Sequence, residues 1–216
     1  MVYTMEYNSS EFSGQPPDHP GTALKSSNFN ASTRLLTDHV RLRCGQTLPN
    51  RLMKSALSEA LAGRDGSPSV KHERLYRQWS TGGYGLVVTG NVMVDSRHRG
   101  EPGNVVIEDD RHANALSRWS KTFHDATDAP LWVQINHPGR QANSIISSTQ
   151  PVAPSPIGAT MLSMTRPREL RSEEIEDIIE RYATTATVLE TTGFQGVQVH
   201  GAHGYLVTQF LSPQTN

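Results

Sequence analysis

Ser172-Glu173-Glu174-Ile175-Glu-Asp-Ile178-Ile179-Glu-Arg-Tyr182-Ala-Thr-Thr-Ala186-Thr-Val-Leu189-Glu-Thr-Thr192-Gly193-Phe-Gln-Gly196-Val-Gln-Val-His200 reads as a helix, a stop and a strand. Ser172 is the expected N-cap, with Glu173 and Glu174 in the positive first turn. Ile175, Ile178, Ile179, Tyr182, Ala186 and Leu189 fall on one stripe, and Gly193 ends the helix at Thr192. The run from Gly196 to His200 is then a strand. Working outward, the same unit recurs: strands are expected at Leu52 to Leu57, Tyr84 to Thr89 and Leu131 to Ile135, and helices at Val70 to Ser80 and Asp110 to His124. Strand, helix, strand in this order makes the strands parallel, joined by crossover helices.

Such a sheet is either open and doubly wound or part of a closed barrel. The residues after the first strand, Leu57 to Gly63, lack the G-x-G-x-x-G spacing of a dinucleotide fold. Polar residues gather instead where the strands end: Ser55 and Ser58, Thr89 and Asn91, Gln134 and His137, His200 and His203. A barrel enzyme keeps its chemistry at that face. Four strand-helix units against the eight of a closed barrel make the expected fold the N-terminal half of a (β/α)8 TIM barrel, spanning residues 34–216. A short hairpin opens it, because Val40, Leu42 and Cys44 alternate with charged residues before a turn at Gly45-Gln46. Residues 1–33, rich in Ser, Asn, Pro and Gly, form the expected disordered leader. The loop from Gly139 to Arg171 carries four prolines, Pro151, Pro154, Pro156 and Pro167, and is placed to cover the strand ends.

The net charge of -1 gives no electrostatic footprint for nucleic acid or acidic lipid. The single cysteine, Cys44, excludes an internal disulfide framework and a multi-thiolate metal site within one chain. No secretory signal or membrane-spanning run is legible, so a soluble, cytoplasmic protein is expected.

The strongest chemical signal is His200-Gly-Ala-His203-Gly-Tyr205. Two imidazoles and a phenol at a strand end can polarise a carbonyl oxygen while the phenol gives a proton to a neighbouring carbon. The same histidine pair can hold a metal, or simply bond to the backbone. Asn50-Arg51-Leu-Met-Lys-Ser55-Ala56-Leu57-Ser58 leads a strand into small polar residues that let a planar ligand approach. Gln134 can offer its amide to the edge of a heterocycle. Asn136, His137 and Arg140 serve equally well as loop-organising residues.

Four blocks resemble the old yellow enzyme family of FMN-dependent NAD(P)H:flavin oxidoreductases, or ene-reductases. These are Leu-Pro-Asn50-Arg51-Leu, Gly85-Leu-Val-Val-Thr89-Gly90, Gln134-Ile-Asn-His137-Pro-Gly139-Arg140, and His200-Gly-Ala-His203-Gly-Tyr205-Leu with Gln-Phe-Leu-Ser212-Pro213. The resemblance implies that Ser55, Ala56 and Ser58 line the flavin, that Gly90 or Asn91 does so after the second strand, and that Gln134 meets its pyrimidine edge. His200 and His203 look like the pair that binds a carbonyl or phenolate oxygen, with His200 beside the flavin, and Tyr205 looks like the proton donor. NAD(P)H would then drive reduction of an activated alkene, with no metal involved. The family's phosphate site lies in later strands, so this chain alone is expected to be inactive and to need a second half-barrel or a homo-oligomer. A non-catalytic remnant or interaction fragment is the alternative. A metal-dependent barrel hydrolase using His200 and His203 ranks below both.

Overall fold

The computed structural model describes residues 35–147, 149–159 and 165–216, so the leader at 1–33 lies outside the described residues. Strands β1 (Val40–Arg41) and β2 (Thr47–Leu48) pair antiparallel around Gly45, whose φ of +91° suits only a residue without a Cβ. Then come β3 (Met53–Lys54), α1 (Val70–Ser80), β4 (Leu86–Met93), α2 (Ala113–His124) and β5 (Leu131–Asn136). A short helix α3 (Ser144–Ser147) and the strand pair β6 (Val152–Ala153) and β7 (Arg168–Glu169) follow. The chain ends with α4 (Ser172–Thr191), β8 (Gly196–Val199) and α5 (Leu206–Leu211). Strands β3, β4, β5 and β8 form one parallel sheet in chain order, as successive strands of a barrel wall do. The half-barrel expectation holds.

Alternation within the strands separates two layers. Val87, Val92, Leu131, Val133 and Ile135 pack outward against Tyr76, Leu116, Trp119, Phe123 and Leu189 of the helices. Inward, Leu86 and Val88 meet Leu48 of the hairpin, with Trp132 packed alongside. The Trp132 indole N–H also donates to Gln46 Oε1 at 3.1 Å. The hairpin therefore plugs the amino-terminal end of the sheet and leaves the carboxyl end open.

Several details depart from the sequence expectation. Strand β3 stops at Lys54 rather than Leu57, and β4 runs on past Thr89 to Met93, because Gly90 is absorbed in a bulge instead of ending the strand. The segment expected as one helix from Asp110 begins with a 3-10 turn over Asp110–His112. Arg171, not Ser172, caps α4: its backbone N–H donates to the Glu174 carboxylate at 3.0 Å. The loop after Gly139 is not featureless, since the β6–β7 pair anchors it through Val152 and Leu170 against Ile178 and Leu206.

The stripe on α4 also divides. Ile178, Thr185, Val188 and Leu189 are buried, whereas Ile179 is 60% exposed. Together with Ile175, Tyr182, Val199 and Leu211 it lines an open apolar trough of 420 Å³ beside β8. A second groove, lined by Ala186, Glu190, Gly196 and Val197, continues along the same strand. Strand β8 is the last of the sheet, so this helix face and strand edge have no partner among the described residues. Among those residues no helix is long and apolar enough to cross a membrane.

Helix α1 is capped in an uncommon way, with a histidine at the third position. The Ser69 N–H donates to His72 Nδ1 at 3.1 Å, and the ring lies 4.9 Å from that of Trp119. His72 is 1% exposed, and burial lowers its pKa to about 4 from the ordinary 6.5. A depressed histidine pKa stabilises the fold above the unfolded value and loses that contribution as pH falls towards the folded value. Urea unfolding at pH 7 and pH 5 should therefore show a loss of ~2 kcal/mol from this group, at about 1.4 kcal/mol per pKa unit. His72→Gln keeps an acceptor for the cap and should remove that share of the dependence, leaving the share of His137, whose pKa burial lowers to about 3. An unchanged pH profile in the variant would show that His72 is not the group responsible.

Candidate active site at the carboxyl ends of the strands

The bulge decides what the inner face presents. Val88 pairs with Trp132 and Asn91 with Gln134, so three steps on β4 match two on β5. Thr89 Oγ1 stabilises the irregularity, donating to Gly90 O at 2.8 Å and accepting the Gln134 N–H at 3.2 Å. Gly90 packs tightly beneath the β3 segment: a Cβ there would come within 2.3 Å of Leu57 O. Its N–H donates to Glu59 Oε1 at 3.0 Å, an oxygen that also accepts the Tyr76 hydroxyl at 2.5 Å. The extra residue puts Asn91 in register with Gln134, and Gln134 pairs in turn with Gln198 on β8.

A polar row thus crosses four strand ends. Ser58 Oγ donates to Asn91 Oδ1 at 3.0 Å, and Gln134 Nε2 donates to Gln198 Oε1 at 2.8 Å. Ser55 is exposed at the β3 edge, and Ala56 packs against the apolar plug of Leu48, Leu86 and Val88. Of the residues anticipated from the sequence, Ser58, Asn91 and Gln134 are brought together. Gly90 lies in the bulge beneath them.

The other end of the row is the histidine cluster. The His200 N–H donates to Ile135 O at 3.0 Å, which extends the sheet by one bond, and the residue is buried, 6% exposed. His200 Nδ1 accepts the Ala202 N–H at 3.3 Å, so the proton of the neutral ring sits on Nε2, 3.3 Å from His203 Nδ1. The rings of His200 and His203 stand edge-on with centroids 5.1 Å apart, and that of Tyr205 lies 4.9 Å from His200. His203 has φ +58°, a left-handed conformation that costs a residue with a Cβ about 1–2 kcal/mol. Burial, and then the neighbouring His203, lower the His200 pKa, while burial, and then Glu101, raise that of Tyr205. At neutral pH the cluster therefore offers an imidazole Nε2–H and a protonated phenol.

A second cluster lies below the loops. Asp95, His98 and His137 place one ligand-type atom each within 4.8 Å of one another, all buried. The geometry nevertheless disfavours a cation. Arg97 already holds Asp95 through Nε and Nη2 at 2.8 to 3.1 Å, and Arg181 Nε stands 4.0 Å away. His137 Nδ1 accepts the Gly139 N–H at 3.1 Å, which puts the ring proton on the Nε2 that a metal would need. This is an internal ion network linking the loop after β4 to α4, through Arg97 and Asp177 at 2.9 Å. The same tautomer argument weighs against a metal between His200 and His203, and among the described residues no carboxylate joins them.

The model of the NADH:flavin oxidoreductase / NADH oxidase family matches residues 42–216. The chain belongs to that family. It is 38% identical over 196 residues to the NADH-dependent flavin oxidoreductase iliE of Hypocrea jecorina, covering 82% of this chain and 49% of that protein. Among solved structures it resembles the old yellow enzyme homologue of Zymomonas mobilis, with a TM-score of 0.75 and 30% identity, over 84% of this chain and 52% of that one. Morphinone reductase superposes with a TM-score of 0.77 at 25% identity, over 84% and 51%. The chain spans about half the length of these relatives. Membership makes this an enzyme family of flavin-linked oxidoreductases built on the old yellow enzyme barrel.

For a flavin of that family, the donor set fits. Asn91, Gln134 and Gln198 carry amides able both to donate and to accept, the pattern that the edge of an isoalloxazine ring requires. Sequence reasoning missed Gln198, although it stands two residues before His200 and so on the same face of the strand. It also missed Gln141 and Gln209, whose amides join the loops after β5 and β8. Only the crossing of the two loops reveals them.

Proposed function

We propose that this chain forms the isoalloxazine-facing half of an FMN-dependent ene-reductase, which reduces the activated C=C bond of an α,β-unsaturated carbonyl compound at the expense of NADH or NADPH. The observation that carries the reading is the juxtaposition, at one end of one sheet, of the amide row with the His200–His203–Tyr205 cluster. FMN, reduced by the nicotinamide, would supply hydride to the β-carbon. Gln134, with Asn91 and Gln198, would hold the ring edge, and Ser55, Ala56, Ser58 and Gly90 would line its approach. On ligand binding the His200 Nε2–H would turn from His203 Nδ1 to the carbonyl or phenolate oxygen, and His203, with its proton on Nδ1, would be the second donor to it. Charge developing on that oxygen is stabilised by donors whose orientation the backbone has already set. Tyr205, a phenol whose pKa burial raises further above its ordinary 10, holds the proton destined for the α-carbon. A cytoplasmic location accords with the single thiol, Cys44.

A barrel's phosphate site is typically built from the loops after its seventh and eighth strands, and this sheet holds four strands among the described residues. On this reading the polypeptide 1–216 is inactive by itself and gains activity in a completed barrel. A barrel completed with the C-terminal half of the Hypocrea jecorina relative is the test system. There His200→Ala or His203→Ala should each weaken phenol binding and alkene reduction, by ~2.7–4 kcal/mol where a donor to a developing oxyanion is lost. Flavin reduction by NADH should change little. Phenol affinity equal to the parent's in both variants would overturn the clamp assignment.

A further inference from the structure

His203 and Gly204 are consecutive left-handed residues, with φ +58° and +71°, and one atom serves both of their carbonyls. Gln141 Nε2, in the 3-10 turn Gly139–Gln141 after β5, donates to His203 O and to Gly204 O, each at 2.8 Å. Gln209 adds a second strut. Its Nε2 donates to Gly204 O at 2.7 Å and to Pro138 O at 3.2 Å, while its Oε1 accepts the Arg140 N–H at 3.2 Å. The loop bearing the histidines is thereby tied across to the loop of the neighbouring strand. Of the two amides, only that of Gln141 touches the carbonyl of His203 itself.

We propose that Gln141 is a positioning residue for the ligand clamp: its carboxamide N–H group holds His203 in the left-handed conformation that sets its Nδ1 3.3 Å from His200 Nε2. Released from that bond, the carbonyl of His203 has no other side-chain donor among the described residues, and only the turn bond from the Tyr205 N–H to Ala202 O at 3.2 Å and the Gln209 strut on Gly204 oppose its preference for negative φ; a change in φ swings the Cα–Cβ bond and the ring away from His200. The requirement is for a donor, because two carbonyl oxygens converge on the site. An isosteric side chain that only accepts repels them instead. The proposal rests on the ene-reductase reading for its functional meaning, but the geometry exists without ligand.

The experiment compares the parent chain with Gln141→Glu, Gln141→Leu and Gln141→Lys at pH 7.5, with circular dichroism as the check on folding. Long-range 1H–15N spectra of the imidazoles report which ring nitrogens carry protons and whether His200 and His203 are hydrogen-bonded. The pair should be present in the parent, lost with Glu and Leu, and retained with Lys, which keeps a donor on a long stem. If the Leu variant fails to fold, the Glu and Lys variants decide the matter. An intact pair in the Glu variant would overturn the proposal, as would equal loss in the Glu and Lys variants. In the completed barrel the Glu variant should bind a phenol about tenfold more weakly with FMN affinity unchanged, the cost of lost preorganisation. A phenol that fails to bind even the parent counts against the ene-reductase reading alone, since the imidazole spectra judge Gln141 separately.

Discussion

Trp119→Ala will destabilise the half-barrel by about 3–5 kcal/mol, the usual range for removing a buried aromatic from a packed core. Trp119 is fully buried on α2 and joins three elements. Its ring lies 4.9 Å from those of His72 and Tyr76 on α1 and 5.5 Å from that of Phe194, just before β8. Truncation therefore opens a cavity where both helices and the last strand meet. The free energy at stake is a large part of the ~5–15 kcal/mol that holds a whole domain together. Urea unfolding followed by circular dichroism measures the change. A loss below ~1 kcal/mol would mean that this junction is not the centre of the core.

Mixed with the C-terminal half of the Hypocrea jecorina relative, the chain will associate and bind FMN far more tightly than it does alone. The surface for that association is already visible. Among the described residues strand β8 has an unpaired edge, and Ile179, Val199 and Leu211, at 60, 53 and 76% exposure, stand beside it in the apolar trough. A following strand would satisfy the edge, and its helix would cover the trough, with a gain of about 25 cal/mol per Å² of apolar area before the costs of association. Charge-assisted bonds to the phosphate, among the strongest in such a site, would come from the added half. Size-exclusion chromatography of the mixture should show a heterodimer. Two independently eluting chains would mean that the trough and the edge do not form a barrel seam.

The architecture was largely legible because it rests on local patterns. The succession of α4, Gly193 and β8 is written in helical spacing, a stop and a short apolar run, and the hairpin in alternation around Gly45. The clustering of His200, His203 and Tyr205 was legible because a single loop carries all of them. What escaped depends on distant partners. A glycine inside an apolar run reads as the end of a strand, and only pairing with β5 shows that Gly90 belongs to a bulge that turns Asn91 towards Gln134. Ile179 falls on the apolar stripe by spacing, yet a stripe does not say which neighbour each residue meets. Asp95 and His137 come from different loops, as do Gln141 and His203, and no periodicity links them.

Fluorescence titration of FMN tests most directly the claim that the flavin site is divided between this chain and a second half. Purified 1–216 should give no saturable quenching up to micromolar protein, whereas the chain mixed with the complementary half should give saturable quenching with a submicromolar dissociation constant. Saturable submicromolar quenching by 1–216 alone would contradict the account, because it would show that the four-stranded sheet holds FMN without any residue of the complementary half.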